Sequence, residues 1–136
     1  MLTPHPGEAA RLLGTTTAAV QGDRAAAVRR LADATGAVVV LKGCATLVCA
    51  PGGRPLMNLT GNPGLASGGS GDVLSGVIGA LWGQGLSAPE AAALGVYLHA
   101  TAGDLAAWRG GEAALIARDV AAHLGAAAAT LGAGHP

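Results

Sequence analysis

The chain has 136 residues, 51% of them hydrophobic, and eight basic side chains stand against eight acidic ones. That length supports one domain with a real hydrophobic core. The charge balance, with no run of like sign, argues against nucleic acid or an anionic membrane as a partner. With no Phe, two Trp and one Tyr, the core must be built from small aliphatic side chains.

No stretch of about 18 charge-free apolar residues has the character of a membrane span. The opening Met1-Leu2-Thr3-Pro4-His5 lacks the basic and apolar regions of a signal peptide. Cys44 and Cys49 are too few and too close for a disulfide framework. They read as buried or half-buried thiols of a reducing compartment, so the expected location is cytoplasmic.

Pro6-Gly7-Glu8 opens a short helix that runs to about Leu13 and stops at Gly14. Asp23 caps the next helix, with Val28 and Leu31 on its buried face and Gly36 as its stop. Residues 37–41 are a short, nearly continuous β-branched run between glycines, which predicts a fully buried strand of a parallel sheet. Residues 46–50 and 56–59 follow as two more strands around the turn Pro51-Gly52-Gly53.

From Asp72 the period becomes helical, with Val73, Leu74, Val77, Ile78, Leu81 and Trp82 on one face and Gly85 as the end. Ser87-Ala88-Pro89-Glu90 has the form of a capping box. It opens a long helix whose face is marked by Leu94, Tyr97, Leu98, Thr101, Leu105 and Trp108. Asp119 is expected to cap a last Ala-rich helix ending near Leu131. The fold class is therefore α/β, as a single domain over 1–136. Three strands are few for an independent doubly wound sheet, and the chain opens on a strand end, so it is expected to be part of a larger domain.

The stretch with the most chemistry is Asn58-Leu59-Thr60-Gly61-Asn62-Pro63-Gly64-Leu65-Ala66-Ser67-Gly68-Gly69-Ser70-Gly71-Asp72. It leaves a strand and enters a helix. Its glycines let the backbone approach a ligand, and the free N–H groups of the first helical turn form an anion site. The spacing of Gly71 and Gly76 is that of a Walker A loop, but Val77 and Ile78 stand where Lys and Ser/Thr are needed. Gly69-Ser70-Gly71 lacks the third small residue of a dinucleotide fingerprint, because Leu74 holds that place. What is left is an anion hole, Gly69, Ser70 and Gly71, with the carboxylate of Asp72 at its lip. Such a carboxylate can take the proton of a hydroxyl attacking a phosphoryl group. It can equally serve as a plain helix cap.

Residues 60–76, running from this segment into the helix, closely resemble the signature of ADP/ATP-dependent NAD(P)H-hydrate dehydratases, a family of the ribokinase-like superfamily. Thr3-Pro4-His5-Pro6-Gly7-Glu8 resembles a second motif of that family, and Lys42-Gly43-Cys44-Ala45-Thr46 resembles its Lys-Gly-x-x-Thr nucleotide segment. Order and spacing agree, and the likeness covers essentially the whole chain. It implies a three-layer α/β ribokinase-like fold of which this is the C-terminal part, the family's earlier strands lying outside it.

The resemblance also implies roles. His5 would contact the hydrated nicotinamide nucleotide, and Asp72 would contact it and act as base. Lys42, Gly43, Cys44, Ala45, Thr46 and Gly71 would bind the adenylate part of ADP or ATP, with Mg²⁺ accompanying the nucleotide. The implied reaction is phosphorylation of the ring hydroxyl of NADHX or NADPHX, then loss of phosphate to give NADH or NADPH. A homo-oligomer is expected, with an NAD(P)HX epimerase as a candidate companion domain or protein. Two alternatives stand beside it: a ribokinase-like kinase for a vitamin or sugar hydroxyl, and an inactive fragment of the dehydratase domain.

Other polar residues read as structural. Glu8 is expected to return to the backbone at His5 in a capping box. Lys42 ends a buried strand, where α/β sheets bind ligands. His99 and Asp104 lie on the long helix and are left out of the site. His123 and His135 read as surface residues, and Arg29, Arg30, Arg109 and Arg118 as solvated helix faces. No His, Cys and Asp have metal-ligand spacing, so no structural metal is expected.

Overall fold

A computed structural model describes residues 1–132 of the chain; His135 lies outside the described residues. Among the described residues six α-helices and three strands follow in the order α1 (Pro6–Leu13), α2 (Thr17–Gly22), α3 (Arg24–Thr35), β1 (Val39–Leu41), β2 (Leu47–Cys49), β3 (Leu56–Met57), α4 (Ser70–Gly83), α5 (Ala88–Gly110) and α6 (Ala117–Gly132). The described residues fall into two compact units. The first is formed by residues 1–59 and 86–93, the second by residues 60–85 and 94 onward.

In the first unit, α1 and α3 close where the glycines demand it, at Gly14 and Gly36, both with left-handed backbone. The Asp23 carboxylate accepts from Ala26 N–H at 2.9 Å and caps α3. The two-turn α2 between them is not legible in the sequence pattern; Thr16 caps it by accepting from Ala19 N–H at 3.1 Å. Val28 and Leu31 of α3 pack with Ala9, Ala10 and Val20 against Val39, Leu41, Leu47 and Cys49.

The sheet departs from the expected parallel arrangement. β1 pairs antiparallel with β2, and β2 antiparallel with β3. Only five residues join β1 to β2, enough for a hairpin and far short of the dozen or more that a parallel crossover needs. A parallel neighbour does exist on the other side of β1, where the opening segment lies beside it. Leu2 N–H donates to Val38 O (2.9 Å), Val40 N–H to Leu2 O (2.8 Å) and Lys42 N–H to Pro4 O (2.9 Å). β1 is thus flanked on both edges, and its three residues are all buried. β3 is exposed, with Leu56 and Met57 facing solvent.

In the second unit, Leu98, Ala102 and Ala106 of α5 pack with Leu115 and with Val120 and Ala127 of α6; Val73, Val77 and Leu81 of α4 lie against them. The two tryptophans do not join this core: Trp82 and Trp108 are exposed. Asp119 sits inside the first turn of α6 rather than ahead of it. Its carboxylate reaches back to accept from Ile116 N–H at 3.1 Å, so it still satisfies a free donor of the helix end. His123 is half-buried rather than on the surface, its Nδ1 2.8 Å from Asp119 O one turn earlier. Arg29, Arg30, Arg109 and Arg118 are exposed, as expected.

A tight contact in this unit makes a stability prediction. A Cβ built on Gly64 would lie 2.5 Å from the Glu112 carbonyl oxygen and 3.0 Å from Leu115 Cβ. Gly64→Ala is therefore expected to destabilise the fold by about 1–3 kcal/mol, the range for overpacking. Thermal unfolding checks this, and an unchanged midpoint would show that the turn can yield freely.

Candidate functional site

Within the first unit, the parallel pairing of the opening segment with β1 brings two of the three motifs together. His5 ends the opening segment and Lys42 directly follows β1; the Lys42 N–H to Pro4 O bond ties the two stretches together there. Beyond His5 begins α1, and beyond Lys42 the chain turns into Gly43 and Cys44, both exposed.

His5 is itself the cap of α1. Its Nδ1 accepts from Gly7 N–H (3.1 Å) and Glu8 N–H (3.3 Å), and Glu8 Oε2 accepts from His5 N–H (2.7 Å), the full reciprocal capping box. An accepting Nδ1 places the proton of the neutral ring on Nε2, which lies 3.4 Å from Glu8 Oε1. The bond from His5 N–H is the main reason the Glu8 carboxyl is held below its usual range; desolvation opposes it, and the charges of Lys42 and Arg11 act in the same direction as the bond. The expected capping role of Glu8 is borne out, and the His5 ring is left exposed at the mouth of a helix.

The turn after β1 is held by a residue that the sequence pattern does not single out. Arg24 Nη2 donates to Leu41 O (3.1 Å) and Lys42 O (3.3 Å), and Nη1 donates to Gln21 Oε1 (2.8 Å). Gly43, at φ +133°, leaves room for the guanidinium: a Cβ there would be 3.1 Å from Nη1. Desolvation lowers the Arg24 pKa from its usual value. A cation in the first turn of a helix opposes the helix dipole, and that misfit is the one signal of Arg24 in the sequence. Ala45 is left-handed at φ 54°, and Thr46 Oγ1 turns back to donate to Gly43 O at 3.0 Å. Cys44 is exposed, against the expectation of a shielded thiol, because it stands at the tip of this turn; Cys49 is buried in β2.

The second unit carries the glycine-rich segment. α4 starts at Ser70 with Gly69 as its N-cap, left-handed at φ +82°, and no side chain caps it. A Cβ at Gly69 would approach Ala117 Cβ to 3.3 Å, so glycine serves both the backbone and the space. Asp72 is exposed in the first turn and is not the cap that the plainer reading allowed. An uncapped helix start with a carboxylate at its lip can bind an anion through backbone N–H groups and accept a proton beside it.

His99 and Asp104, left out of the site on sequence grounds, both bond to this segment. His99 is buried on α5 with its Nε2 2.9 Å from Ser70 O and 3.2 Å from Ser70 Oγ. The carbonyl can only accept, so Nε2 carries the proton. Asp104 accepts from Gly61 N–H at 2.8 Å and from Asn62 Nδ2 at 2.9 Å. Desolvation lowers the His99 pKa from 6.5, and its bond to the Ser70 backbone acts in the opposite direction. The folded chain therefore favours the neutral ring. Below the unfolded value of 6.5 the unfolded chain binds the extra proton, so stability is full above 6.5 and is lost as pH falls through the depressed folded value. The thermal midpoint is expected to drop on acidification in the wild type and to drop less in His99→Gln; equal slopes would contradict this.

A family model described as NAD(P)H-hydrate dehydratase matches residues 1–124. The bifunctional NAD(P)H-hydrate repair enzyme Nnr of Moorella thermoacetica is 53% identical over 120 residues, 88% of this chain and 23% of that protein. The ADP-dependent (S)-NAD(P)H-hydrate dehydratase of Neisseria meningitidis is 54% identical over 122 residues, 89% of this chain and 41% of that protein. The chain is also similar in structure to the ADP/ATP-dependent NAD(P)H-hydrate dehydratase of Bacillus subtilis co-crystallised with ATP and Mg²⁺, with TM-score 0.88 and 33% identity over 93% of this chain and 46% of that one. The chain thus spans less than half the length of these relatives, and the expected partial α/β fold is borne out.

Proposed function

The chain belongs to the NAD(P)H-hydrate dehydratase family, and on that premise we propose that it supplies the phosphoryl-transfer half of a site that repairs hydrated nicotinamide cofactors. The observation that carries the reading is the glycine-rich segment entering an uncapped α4 with Asp72 exposed in its first turn.

In this mechanism the backbone N–H groups at Gly69, Ser70 and Gly71 hold the phosphoryl group of ADP or ATP, the Ser70 N–H giving up its 3.3 Å bond to Ser67 O to do so. Asp72 contacts the hydrated ring and takes the proton of its hydroxyl as the oxygen attacks phosphorus, so that AMP or ADP leaves. The hydroxyl becomes a phosphate ester. Phosphate is a far better leaving group than hydroxide, so the C–O bond then breaks with its electron pair on phosphate, and loss of a ring proton restores NADH or NADPH. Lys42, Gly43, Cys44, Ala45, Thr46 and Gly71 bind the adenylate portion, and His5 contacts the hydrated nicotinamide. Arg24 holds the Lys42 turn in shape.

Mg²⁺ fits this arrangement as a companion of the nucleotide. Among the described residues no three His, Cys, Asp or Glu are grouped to hold a metal, whereas Mg²⁺ commonly binds through substrate phosphates and water with one or two carboxylates. Bound there, it would neutralise phosphate charge beside Asp72. No helix among the described residues is long and apolar enough to cross a membrane, and the proposed location is the cytoplasm. The Moorella relative is named as bifunctional, which supports an epimerase as the companion activity, and the exposed β3 residues support a homo-oligomer.

The test is recovery of NADH absorbance from purified NADHX with Mg²⁺ and either ADP or ATP. Nucleotide-dependent recovery supports the dehydratase and names the donor. A phosphorylated product that persists without NADH would favour the kinase alternative.

A further inference from the structure

We propose that one face of α5 is the template that shapes the glycine-rich loop, with His99 and Asp104 as its positioning residues. The inference rests on the anion-site reading of that loop given above.

The loop is held to α5 at both ends. At its start, Asp104 Oδ2 accepts from Gly61 N–H (2.8 Å) and Oδ1 accepts from Asn62 Nδ2 (2.9 Å). The Asn62 side chain is thereby oriented so that its own Oδ1 accepts from Gly64 N–H (3.0 Å) and caps the single turn Pro63–Ala66. At its end, His99 Nε2 donates to the Ser70 carbonyl (2.9 Å), the first residue of α4. Both anchors are sheltered from water: His99 is buried and Asp104 half-buried.

Between the anchors the helix surface is cut back to let the loop approach. Residues 99 and 103, and 100 and 104, are each one helical turn apart, so all four share a face. A Cβ on Gly103 would lie 2.6 Å from Leu65 Cδ2, and one on Gly61 would lie 3.3 Å from Ala100 Cβ. The loop thus packs through Leu65 onto a small-residue surface bounded by His99 and Asp104. The loop's remaining side-chain hydroxyl near its end adds no anchor: Ser67 Oγ is buried without a partner among the described residues. An anion hole made of backbone N–H groups works only when those groups are already aimed, and here the aim is set from a neighbouring helix.

Four variants test this: His99→Leu, His99→Gln, Asp104→Asn, and the double exchange Asn62→Asp with Asp104→Asn. Gln at 99 keeps an N–H donor for Ser70 O. In the double exchange the donor and acceptor trade sides: the new carboxylate at position 62 accepts from the new amide at position 104, whose oxygen remains an acceptor for Gly61 N–H. Two readouts are taken where circular dichroism shows each variant folded: ADP affinity by titration calorimetry, and hydrogen exchange at the amides of Gly61, Gly64, Ser70 and Val73.

ADP affinity is expected to fall about tenfold, roughly 1.4 kcal/mol, in His99→Leu and in Asp104→Asn, and to recover in His99→Gln and in the double exchange. Exchange is expected to quicken at Ser70 and Val73 in the first variant and at Gly61 and Gly64 in the second. Unchanged exchange in both would overturn the proposal, as would an affinity loss that neither rescue repairs. If His99→Leu does not fold, Asp104→Asn and its rescue decide. A wild type that binds no ADP counts against the proposed function instead, and the exchange rates alone then decide whether α5 holds the loop.

Discussion

Asp72→Asn is expected to lower NADH recovery by about 10²- to 10⁴-fold, the range for loss of a general base, while ADP binding stays close to that of the wild type. Asp72 stands exposed in the first turn of α4 and does not cap it. Its charge there contributes only about 0.3–1 kcal/mol through the helix dipole, so the helix and its N–H groups survive the change. The amide keeps the shape of the side chain and loses its basicity. The rate of NADH appearance and an ADP titration check the two halves separately. Turnover comparable to the wild type would remove Asp72 from the base role.

Arg24→Met is expected to weaken ADP binding as Lys42→Ala does, and, unlike Lys42→Ala, to lower the thermal midpoint by several degrees. In the proposed site Lys42 contacts the nucleotide directly, so its truncation is expected to remove that contact and little else. Arg24 acts at one remove: its guanidinium ties Leu41 O, Lys42 O and Gln21 Oε1 together at the end of β1. Hydrogen bonds to a charged donor are worth about 1.5–3 kcal/mol, and Met restores the volume without any of them. Calorimetric titration and thermal unfolding of both variants check this. Unchanged ADP affinity in Lys42→Ala would count against its contact, and a lowered midpoint without affinity loss in Arg24→Met would confine Arg24 to the fold.

The residues that are legible in the sequence are those whose role is local. Gly14 and Gly36 as helix stops, Asp23 as a cap and the His5-Glu8 box all depend on neighbours within four residues, and the structure has them. β1 is legible as a buried strand, but its pairing is not: a continuous apolar run buried on both faces reads as a parallel sheet, whereas one edge is an antiparallel hairpin partner and the other the opening segment. Trp82 and Trp108 fit a helical period and still face solvent, because the period fixes a face and not what covers it. His99, Asp104 and Arg24 escape a reading of the sequence for a related reason. Each bonds to a segment 17 to 43 positions away, and nothing in their immediate surroundings distinguishes them from ordinary helical residues, except the misplaced charge of Arg24.

The most direct test of the central claim is the stoichiometry of the reaction on NADHX with Mg²⁺ and the preferred nucleotide, following NADH, free phosphate and the spent nucleotide together. Phosphorylation followed by elimination predicts equal amounts of all three, with none formed when either NADHX or nucleotide is left out. NADH formed without nucleotide consumption, or nucleotide consumed into a lasting phosphorylated product without NADH, would contradict it.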